Sequence, residues 1–589
     1  MENLTLDKRI KMPDDVISII KTLNKAGFEA YAVGGCVRDC LLKREVNDWD
    51  ITTIAEPYEV KRLFKRTIDT GLQHGTVTVL LNGSGYEVTT YRVDGEYTDG
   101  RHPKEVTFTK SLTEDLKRRD FTINAMAYND ETGIIDEFDG ISDLENKVIR
   151  CVGNPDERFT EDYLRIMRAV RFSAQLGFEI EEKTLAAIKN HTEGLKNVSW
   201  ERIRVELTKL ITSDNADRIN VLYETGILDI ILPELTACFT CEQNTRHHIF
   251  NVGEHIVRTV MNMNFWFEHA GTETVAGETE TAESAVKAGE TETAESVVKT
   301  GETETAESAV KTGETETAES VVKAGETETA ESVVKAGETG NLEKTETDKN
   351  VTDDKLIDIY TERYISKCRE IFSDDRIKIF KESLEKIVKI SDEIVKNMTP
   401  KDKDILAVAM LFHDMEKPAC LTYDDKGAAH FYKHPMKSAE KFKSIGRRLT
   451  YDNYLNDHAK TLIYWHDYRH FENDTLIRRT LARVGIDNMP HLFLVQFSDI
   501  MAQNPDTFSE KIDVLTEVWQ NVQRVIATKP PVYIKDLVIN GKDLIQMGIK
   551  PGPKIGEILE KLIKQVIDNP ERNTREYLLK EAENFSKCI

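Results

Sequence analysis

Residues 277–336 are five near-identical copies of a twelve-residue unit beginning Gly-Glu-Thr-Glu-Thr-Ala-Glu-Ser, and no other feature limits the fold so sharply. The unit is polar, acidic, free of aromatics and interrupted by glycine at every copy. Such a stretch buries too little apolar surface to offset the entropy lost on ordering. Twelve residues is also too short for the helical units of solenoids. The expectation is a disordered insertion over 268–349 that loops out between foldable parts. Each copy holds three Glu and one Lys, so the five contribute −10 of the formal −24 and the remainder carries −14. A mildly acidic remainder still accommodates local basic stripes, and those decide phosphate binding.

At 589 residues the foldable parts exceed one ordinary core. No apolar run approaches a membrane span, which predicts no membrane partner. Met1-Glu2-Asn3-Leu4 lacks the basic and apolar regions of a signal peptide. Eight cysteines without a framework spacing fit free thiols in a reducing cytoplasm. The first 150 residues read as α/β. Val16, Ile17, Ile19, Ile20 and Leu23 give one apolar side to a helix over Asp14–Lys25. Strand-like runs follow at Phe28–Val33, Trp49–Thr52, Thr76–Leu81 and Tyr86–Arg92, with Asn82, Gly83, Ser84 and Gly85 joining the last two as a hairpin. From Glu161 the pattern turns helical. The predicted fold is therefore an α+β head with a small mixed sheet, followed by an elongated all-α neck, body and tail. The boundaries are a head over 1–150, a neck over 151–235, a body over 236–267 and 350–520, and a tail over 521–589.

Gly34-Gly35-Cys36-Val37-Arg38-Asp39 lies between a strand and a helix pattern, where paired glycines let backbone N–H groups approach a phosphate. Asp48-Trp49-Asp50 follows; in a strand, residues i and i+2 share a face, so both carboxylates would point at one spot. Converging carboxylates suit Mg²⁺, which takes oxygen ligands and leaves positions for triphosphate oxygens. An isolated Asp-x-Asp is more often a solvated pair. Here Lys117-Arg118-Arg119-Asp120-Phe121-Thr122-Ile123-Asn124-Ala125 brings a basic cluster to the same small domain. Together these segments resemble the class II tRNA nucleotidyltransferase and poly(A) polymerase family, which has a polymerase-beta-type head. The resemblance continues through the helical part to the tail, interrupted only by the repeats. It implies a two-metal mechanism. Asp48 and Asp50 would hold two Mg²⁺ ions, one activating the RNA 3′ hydroxyl and one steadying the pyrophosphate. Gly34, Gly35, Arg38 and Arg119 would hold the triphosphate. Glu87 is a further candidate carboxylate, with an ordinary outward strand glutamate as the alternative.

Glu161-Asp162-Tyr163-Leu164-Arg165 predicts Asp162 and Arg165 side by side on one helix face at i, i+3, with Arg168 and Arg171 continuing a basic stripe. Cytosine and adenine each place an exocyclic amine beside an unprotonated ring nitrogen. An Asp acceptor next to an Arg donor matches that edge, whereas uracil and guanine would leave buried polar groups unpaired. The family uses this segment as an amino-acid template, which implies base reading by Asp162 and Arg165 with Arg168 and Arg171 in support. The helix Trp200–Leu207 resembles the family's bracing motif and is assigned a structural role.

His255, the His413-Asp414 pair and Asp499 have the order and residue types of an HD metal-dependent phosphohydrolase domain, with His434 and His466 able to complete a dinuclear site. The implied metal is Mn²⁺, Ni²⁺ or Mg²⁺. Cys238 and Cys241 near His247 and His248 lack the second Cys-x-x-Cys of a zinc site, so none is expected. In the tail, Lys550 and Lys554 flank a glycine-rich turn, a pattern that contacts nucleic-acid backbones.

The implied reaction is addition or repair of the 3′-terminal CCA of tRNA from CTP and ATP. A poly(A) polymerase, or an enzyme adding only C or only A through differences in a loop such as 93–113, is the near alternative. An HD phosphohydrolase with an RNA-holding front half is the alternative of another class.

Overall fold

The computed structural model describes residues 9–95, 106–243, 247–269, 374–469 and 471–588. The repeats, and residues 96–105 of the 93–113 loop, lie outside the described residues.

The Asp14–Lys25 helix forms as the spacing predicts and buries Val16, Ile19, Ile20 and Leu23 against the head sheet. The head strands are β1 (Ala30–Val33), β2 (Ile51–Thr53), β3 (Thr67–Gly71), β4 (Thr76–Leu81), β5 (Ser84–Thr90), β6 (Arg92–Asp94), β7 (Val106–Phe108), β8 (Met126–Asn129) and β9 (Gly133–Asp136). Seven of them make one mixed sheet in the order β3-β4-β5-β2-β1-β8-β9, in which only β2 and β5 run parallel. β6 and β7 pair separately. The β4–β5 hairpin turns on Asn82 and Gly83 alone, at φ 49° and 83°, the left-handed pair that a two-residue turn requires. Ser84 and Gly85, expected in the turn, instead pair with Leu81 and Leu80.

One strand differs from the sequence reading in a way that matters. β2 starts at Ile51, so Asp48, Trp49 and Asp50 precede the strand rather than lie in it. The cause is its neighbour. β1 ends at Val33, and the chain swings away at Gly34 (φ 84°) into the Gly35–Leu41 helix. Beyond Val33 N–H donating to the Asp50 carbonyl, at 2.9 Å, no ladder remains for the Asp pair.

Past the head the described chain is almost wholly helical, as expected. Short parallel strands Val148–Ile149 and Glu179–Ile180 pair across the predicted head–neck boundary. One apolar core runs from Ile10 to Val532, and a second is built from tail residues around Leu544, Ile558, Leu562 and Leu578, with Ala482 of the body packed against it. The Phe508–Ala527 helix crosses the predicted body–tail limit at 520 and packs into the first core. No helix of the described residues is long and apolar enough to cross a membrane.

Candidate active site

Strand direction gathers the head residues at one end of the sheet. β1 runs antiparallel to β2 and β8, so the end of β1 meets the start of each. Gly34 N–H donates to the Met126 carbonyl at 3.0 Å, and Val33 N–H to that of Asp50. β5 lies parallel to β2 with Ile51 opposite Val88, which brings Glu87 level with Asp50 at the same end. Asp48, Asp50 and Glu87 are all solvent-accessible there. Partial desolvation, then the mutual repulsion of these carboxylates, raises Asp50 and Glu87 above the ordinary range; Arg119 pulls Asp50 the other way. Three like charges in one another's fields are a site short of positive charge, and hard oxygen donors suit a hard divalent cation.

Arg119 is the cation this edge supplies. A Cβ on Gly34 would sit 3.0 Å from its guanidinium, so glycine here serves close approach as well as the turn. The Arg119 Nε is buried without a hydrogen-bond partner, an unspent donor beside the carboxylates. Asp115, fully buried on the Leu112–Lys117 helix, aims this segment. It receives Arg118 Nη2 at 2.8 Å, the Thr52 hydroxyl at 3.1 Å and the Arg92 N–H at 3.3 Å, with Arg119 Nη2 3.6 Å away. Burial opposes its charge, but Arg118 and Arg119 hold its carboxyl below the ordinary range. Nothing in the sequence pattern marked Asp115, because its role depends on two distant partners, Thr52 and Arg92, as well as on the neighbouring Arg118 and Arg119. Arg38, predicted at the phosphate, is instead forked onto Asp39 (2.9 and 2.8 Å) and donates to Asn124 Oδ1 at 2.6 Å.

The next residue, Asp120, ties this edge to the neck. Its Oδ2 takes Arg168 Nη2 at 2.7 Å, and its Oδ1 takes Asn124 Nδ2 at 3.1 Å. Burial opposes ionisation, yet Arg168, Asn124 and Arg165 hold the Asp120 carboxyl well below its usual range. Arg38, Arg168 and Arg171 also surround the Phe172 ring, at 4.9, 5.3 and 3.5 Å from its centroid.

The predicted selecting helix is two helices. Pro155–Glu161 ends at Asp162, which is extended (φ −144°, ψ 103°), and Leu164–Leu176 begins after Tyr163. Asp162 and Arg165 therefore do not share a helix face. Asp162 Oδ1 accepts the Leu164 N–H at 3.0 Å, a local side-chain turn just ahead of the second helix that competes with helical continuation there. Its partner is Arg202, at 2.7 and 3.2 Å. Arg165 pairs with Glu161 at 2.5 Å and donates to the carbonyls of Arg158 and Arg118 at 3.1 and 3.0 Å. Arg171 is buried against Glu206 at 2.8 Å, so the expected basic stripe is largely neutralised internally.

A second cluster lies at the buried ends of the body helices. His255, His413, Asp414 and Asp499 converge, and Asp414 also meets His434 and His466. Each imidazole places Nδ1 on a backbone carbonyl: Ala502 for His255, Met410 for His413, Phe431 for His434 and Ile463 for His466, at 3.2, 2.7, 2.8 and 2.8 Å. A carbonyl only accepts, so each Nδ1 carries a hydrogen and every Nε2 faces inward, where a neutral ring offers its lone pair. These Nε2 atoms approach in pairs, His255–His413 at 3.3 Å and His434–His466 at 3.4 Å. Asp414 bridges the pairs, with Oδ2 3.2 Å from the first two and Oδ1 3.0 and 3.5 Å from the second. Asp499 Oδ1 lies 3.1 Å from His255. Both Asp414 oxygens are buried without a well-aligned hydrogen-bond donor, although Lys417 Nζ approaches Oδ2 to 2.7 Å. Burial resists charge on the ring of His413, but Asp414 and Asp499 push it up to about 10: a proton held where a cation fits. A cavity of about 710 Å³ opens beside the cluster, lined in part by Lys417, Arg469, Lys511 and Tyr432. Burial lowers Lys511 to about 8. Cys238 and Cys241 join no metal-capable cluster among the described residues.

In the tail, Lys550 is exposed, whereas Lys554 donates to the Ser586 carbonyl at 2.9 Å.

Comparison with known proteins matches three segments of the chain. Residues 30–150 match the family model of the poly A polymerase head domain, 177–239 that of the probable RNA and SrmB-binding site of polymerase A, and 430–582 that of tRNA nucleotidyltransferase domain 2. The CCA-adding enzyme of Levilactobacillus brevis is 56% identical over 210 residues, 36% of this chain and 53% of the relative. That of Enterococcus faecalis is 56% identical over 197 residues, 33% and 48% of the two chains. The matched segments thus span about half the length of these relatives. The crystal structure of the Bacillus stearothermophilus CCA-adding enzyme in complex with CTP shares the fold, with a TM-score of 0.54 at 24% identity over 98% of this chain and 100% of that one. The chain thus matches the poly A polymerase head domain at 30–150 and tRNA nucleotidyltransferase domain 2 at 430–582.

Proposed function

We propose that the chain adds or repairs the 3′-terminal CCA of tRNA, using CTP and ATP. One chain of neighbouring groups supports this reading. Arg119 acts on Asp50, whose charge Glu87 feels together with that of Asp48; Asp120 beside Arg119 grips Arg168; and Arg168 stands on the Leu164–Leu176 helix, just after Asp162. Carboxylates for metal and candidate base readers are thus coupled through two consecutive residues. Mg²⁺ held by Asp48 and Asp50 would supply neutralisation of the triphosphate and of the attacking oxygen. The chain's own residues do the positioning. Arg119 takes the phosphates, the Gly34–Gly35 turn keeps space for them, and Asp162 with Arg165 reads the base edge. The tRNA 3′ oxygen bonds to the α-phosphorus, its proton is lost, and the bond to the departing pyrophosphate breaks. Lys550 contacts the tRNA backbone.

The named relatives favour this over a poly(A) polymerase or a partial enzyme. The test presents purified protein with tRNA ending before CCA, at C and at CC, with each nucleotide singly and together. Arrest after three additions is the expected result; long A tails would replace the reading with poly(A) synthesis.

The facing Nε2 atoms favour a second activity in the body. His255, His413, Asp414 and Asp499 would hold one divalent ion, and His434, His466 and the other Asp414 oxygen a second. Mixed imidazole and carboxylate donors suit Mn²⁺ or Ni²⁺ better than Mg²⁺. Such ions would supply Lewis acidity for hydrolysis of a phosphate ester, as in an HD phosphohydrolase, with Arg469 and Lys511 receiving the phosphate. The check is metal content of the purified protein, followed by phosphatase and cyclic phosphodiesterase assays with added metal. Activity that persists in His413→Ala would remove this site as its source.

A further inference from the structure

We infer that Arg202 is a positioning residue for nucleotide selection, setting the plane in which Asp162 meets the incoming base. The inference rests on the CCA-adding reading and goes beyond it, because sequence reasoning left the Trp200–Ile211 helix a purely structural brace.

The argument begins with what Asp162 has left to offer. An ionised carboxylate presents about four lone-pair positions. Oδ1 takes the Leu164 N–H at 3.0 Å and Arg202 Nη1 at 3.2 Å, which fills it. Oδ2 takes Arg202 Nη2 at 2.7 Å, which leaves one position. A base amine therefore finds one acceptor in one direction, fixed by a two-point guanidinium fork. Asp162 needs that fixing more than a helical residue would. It sits extended in the break between two helices, with its carbonyl accepting the Arg165 N–H at 3.0 Å. Tyr163 is seated by packing instead: a Cβ on Gly194 would fall 2.0 Å from its ring.

The same helix controls the other end of the segment. One turn after Arg202, Glu206 takes Arg171 at 2.8 Å and stands 3.9 Å from Arg168. The Trp200–Ile211 helix thus clamps the reader and its supports together. Without the fork, the Asp162 carboxylate keeps only the Leu164 N–H as a tie and can turn about that one bond to offer other lone pairs. A reader with a loose acceptor distinguishes an amine from a carbonyl edge less well, since the mismatched group no longer meets a fixed unpaired partner.

The experiment measures single-nucleotide addition of CTP, ATP, UTP and GTP to tRNA lacking CCA, by wild type, Arg202→Met and Arg202→Lys. Both variants are expected to raise UMP and GMP incorporation relative to CMP by about tenfold or more. The KM for tRNA and the kcat for CMP should change much less, a split that a merely structural role would not give. Arg202→Lys keeps the charge and loses the fork, so it decides alone if Arg202→Met fails to fold. Wild-type discrimination in either variant overturns the proposal: in Arg202→Met because the pair would be idle, in Arg202→Lys because charge alone would suffice. A wild-type protein that adds no CMP would instead defeat the reaction on which the inference rests.

Discussion

The head and the body each gather acidic side chains at one point, and they do so by opposite means. In the head, Asp48, Asp50 and Glu87 stand accessible at the open end of a sheet, offer only oxygen, and are balanced by one arginine. In the body, Asp414 and Asp499 are buried at helix ends among four imidazoles whose orientation is fixed by backbone carbonyls. An open oxygen site suits an ion that arrives with a triphosphate and leaves with pyrophosphate. A buried nitrogen and oxygen site suits a resident ion, since its two carboxylates lie in a medium that screens poorly and call for positive charge beside them. The difference teaches that clustered acids alone do not define a metal site. The donor set and the access decide what the cluster holds and for how long.

The largest effect should come from Asp50→Ala. Loss of a metal carboxylate at the transfer site is expected to lower CMP addition at least a thousandfold, about 4 kcal/mol of transition-state stabilisation. Metal content at the histidine cluster should not change. A variant that loses both would show that the two sites are not independent and would break the comparison. The reciprocal variant, His413→Ala, should weaken divalent-ion binding in the body about a hundredfold or more, read by titration calorimetry, while CMP addition persists.

Most of the head was legible because its elements are set by local rules. The apolar spacing of Val16, Ile19, Ile20 and Leu23, the Asn82-Gly83 turn and the glycine pair after β1 each act over a few residues. The four histidines and two aspartates of the body were found from their order along the chain, although the repeats separate His255 from the rest. The misreadings had non-local causes. Asp48 and Asp50 look like strand residues until β1 turns away at Gly34 and removes their ladder. Asp162 looks helical until its own side chain makes a local turn ahead of the next helix. Its pairing with Arg202, 40 residues on, has no short-range signal at all. Asp115 shows the same limit, since its worth lies in Thr52, Arg92, Arg118 and Arg119 together.

A smaller effect tests how the head keeps a buried carboxylate without a metal. Asp120 is neutralised by Arg168, so Asp120→Asn should cost about 2 kcal/mol, the value of a broken buried pair reduced because Arg168 keeps a third of its side chain open to water. The sign with pH follows from its lowered carboxyl. The unfolded chain takes up the proton first as pH falls, so the contribution is complete at neutral pH and above the ordinary Asp range. It is lost progressively as pH drops through the depressed native value. Wild type should therefore lose stability into acid more steeply than Asp120→Asn, measured by urea unfolding across pH 3 to 7. Equal slopes would mean that the pair is not what joins the head to the neck.

Glu87 sets the finest distinction. If three oxygen ligands define the head site, Glu87→Gln should reduce CMP addition about tenfold and raise the Mg²⁺ concentration needed for half-maximal rate. The parallel register of Ile51 with Val88 argues for this, because it places Glu87 level with Asp50 whatever the side-chain rotamer. So does the rise of its carboxyl, driven first by partial burial and then by the charges of Asp50 and Asp48. An ordinary solvated strand glutamate would feel neither. A Glu87→Gln enzyme with unchanged Mg²⁺ dependence would reduce the head site to its two aspartates and make Glu87 a bystander that merely shares their field.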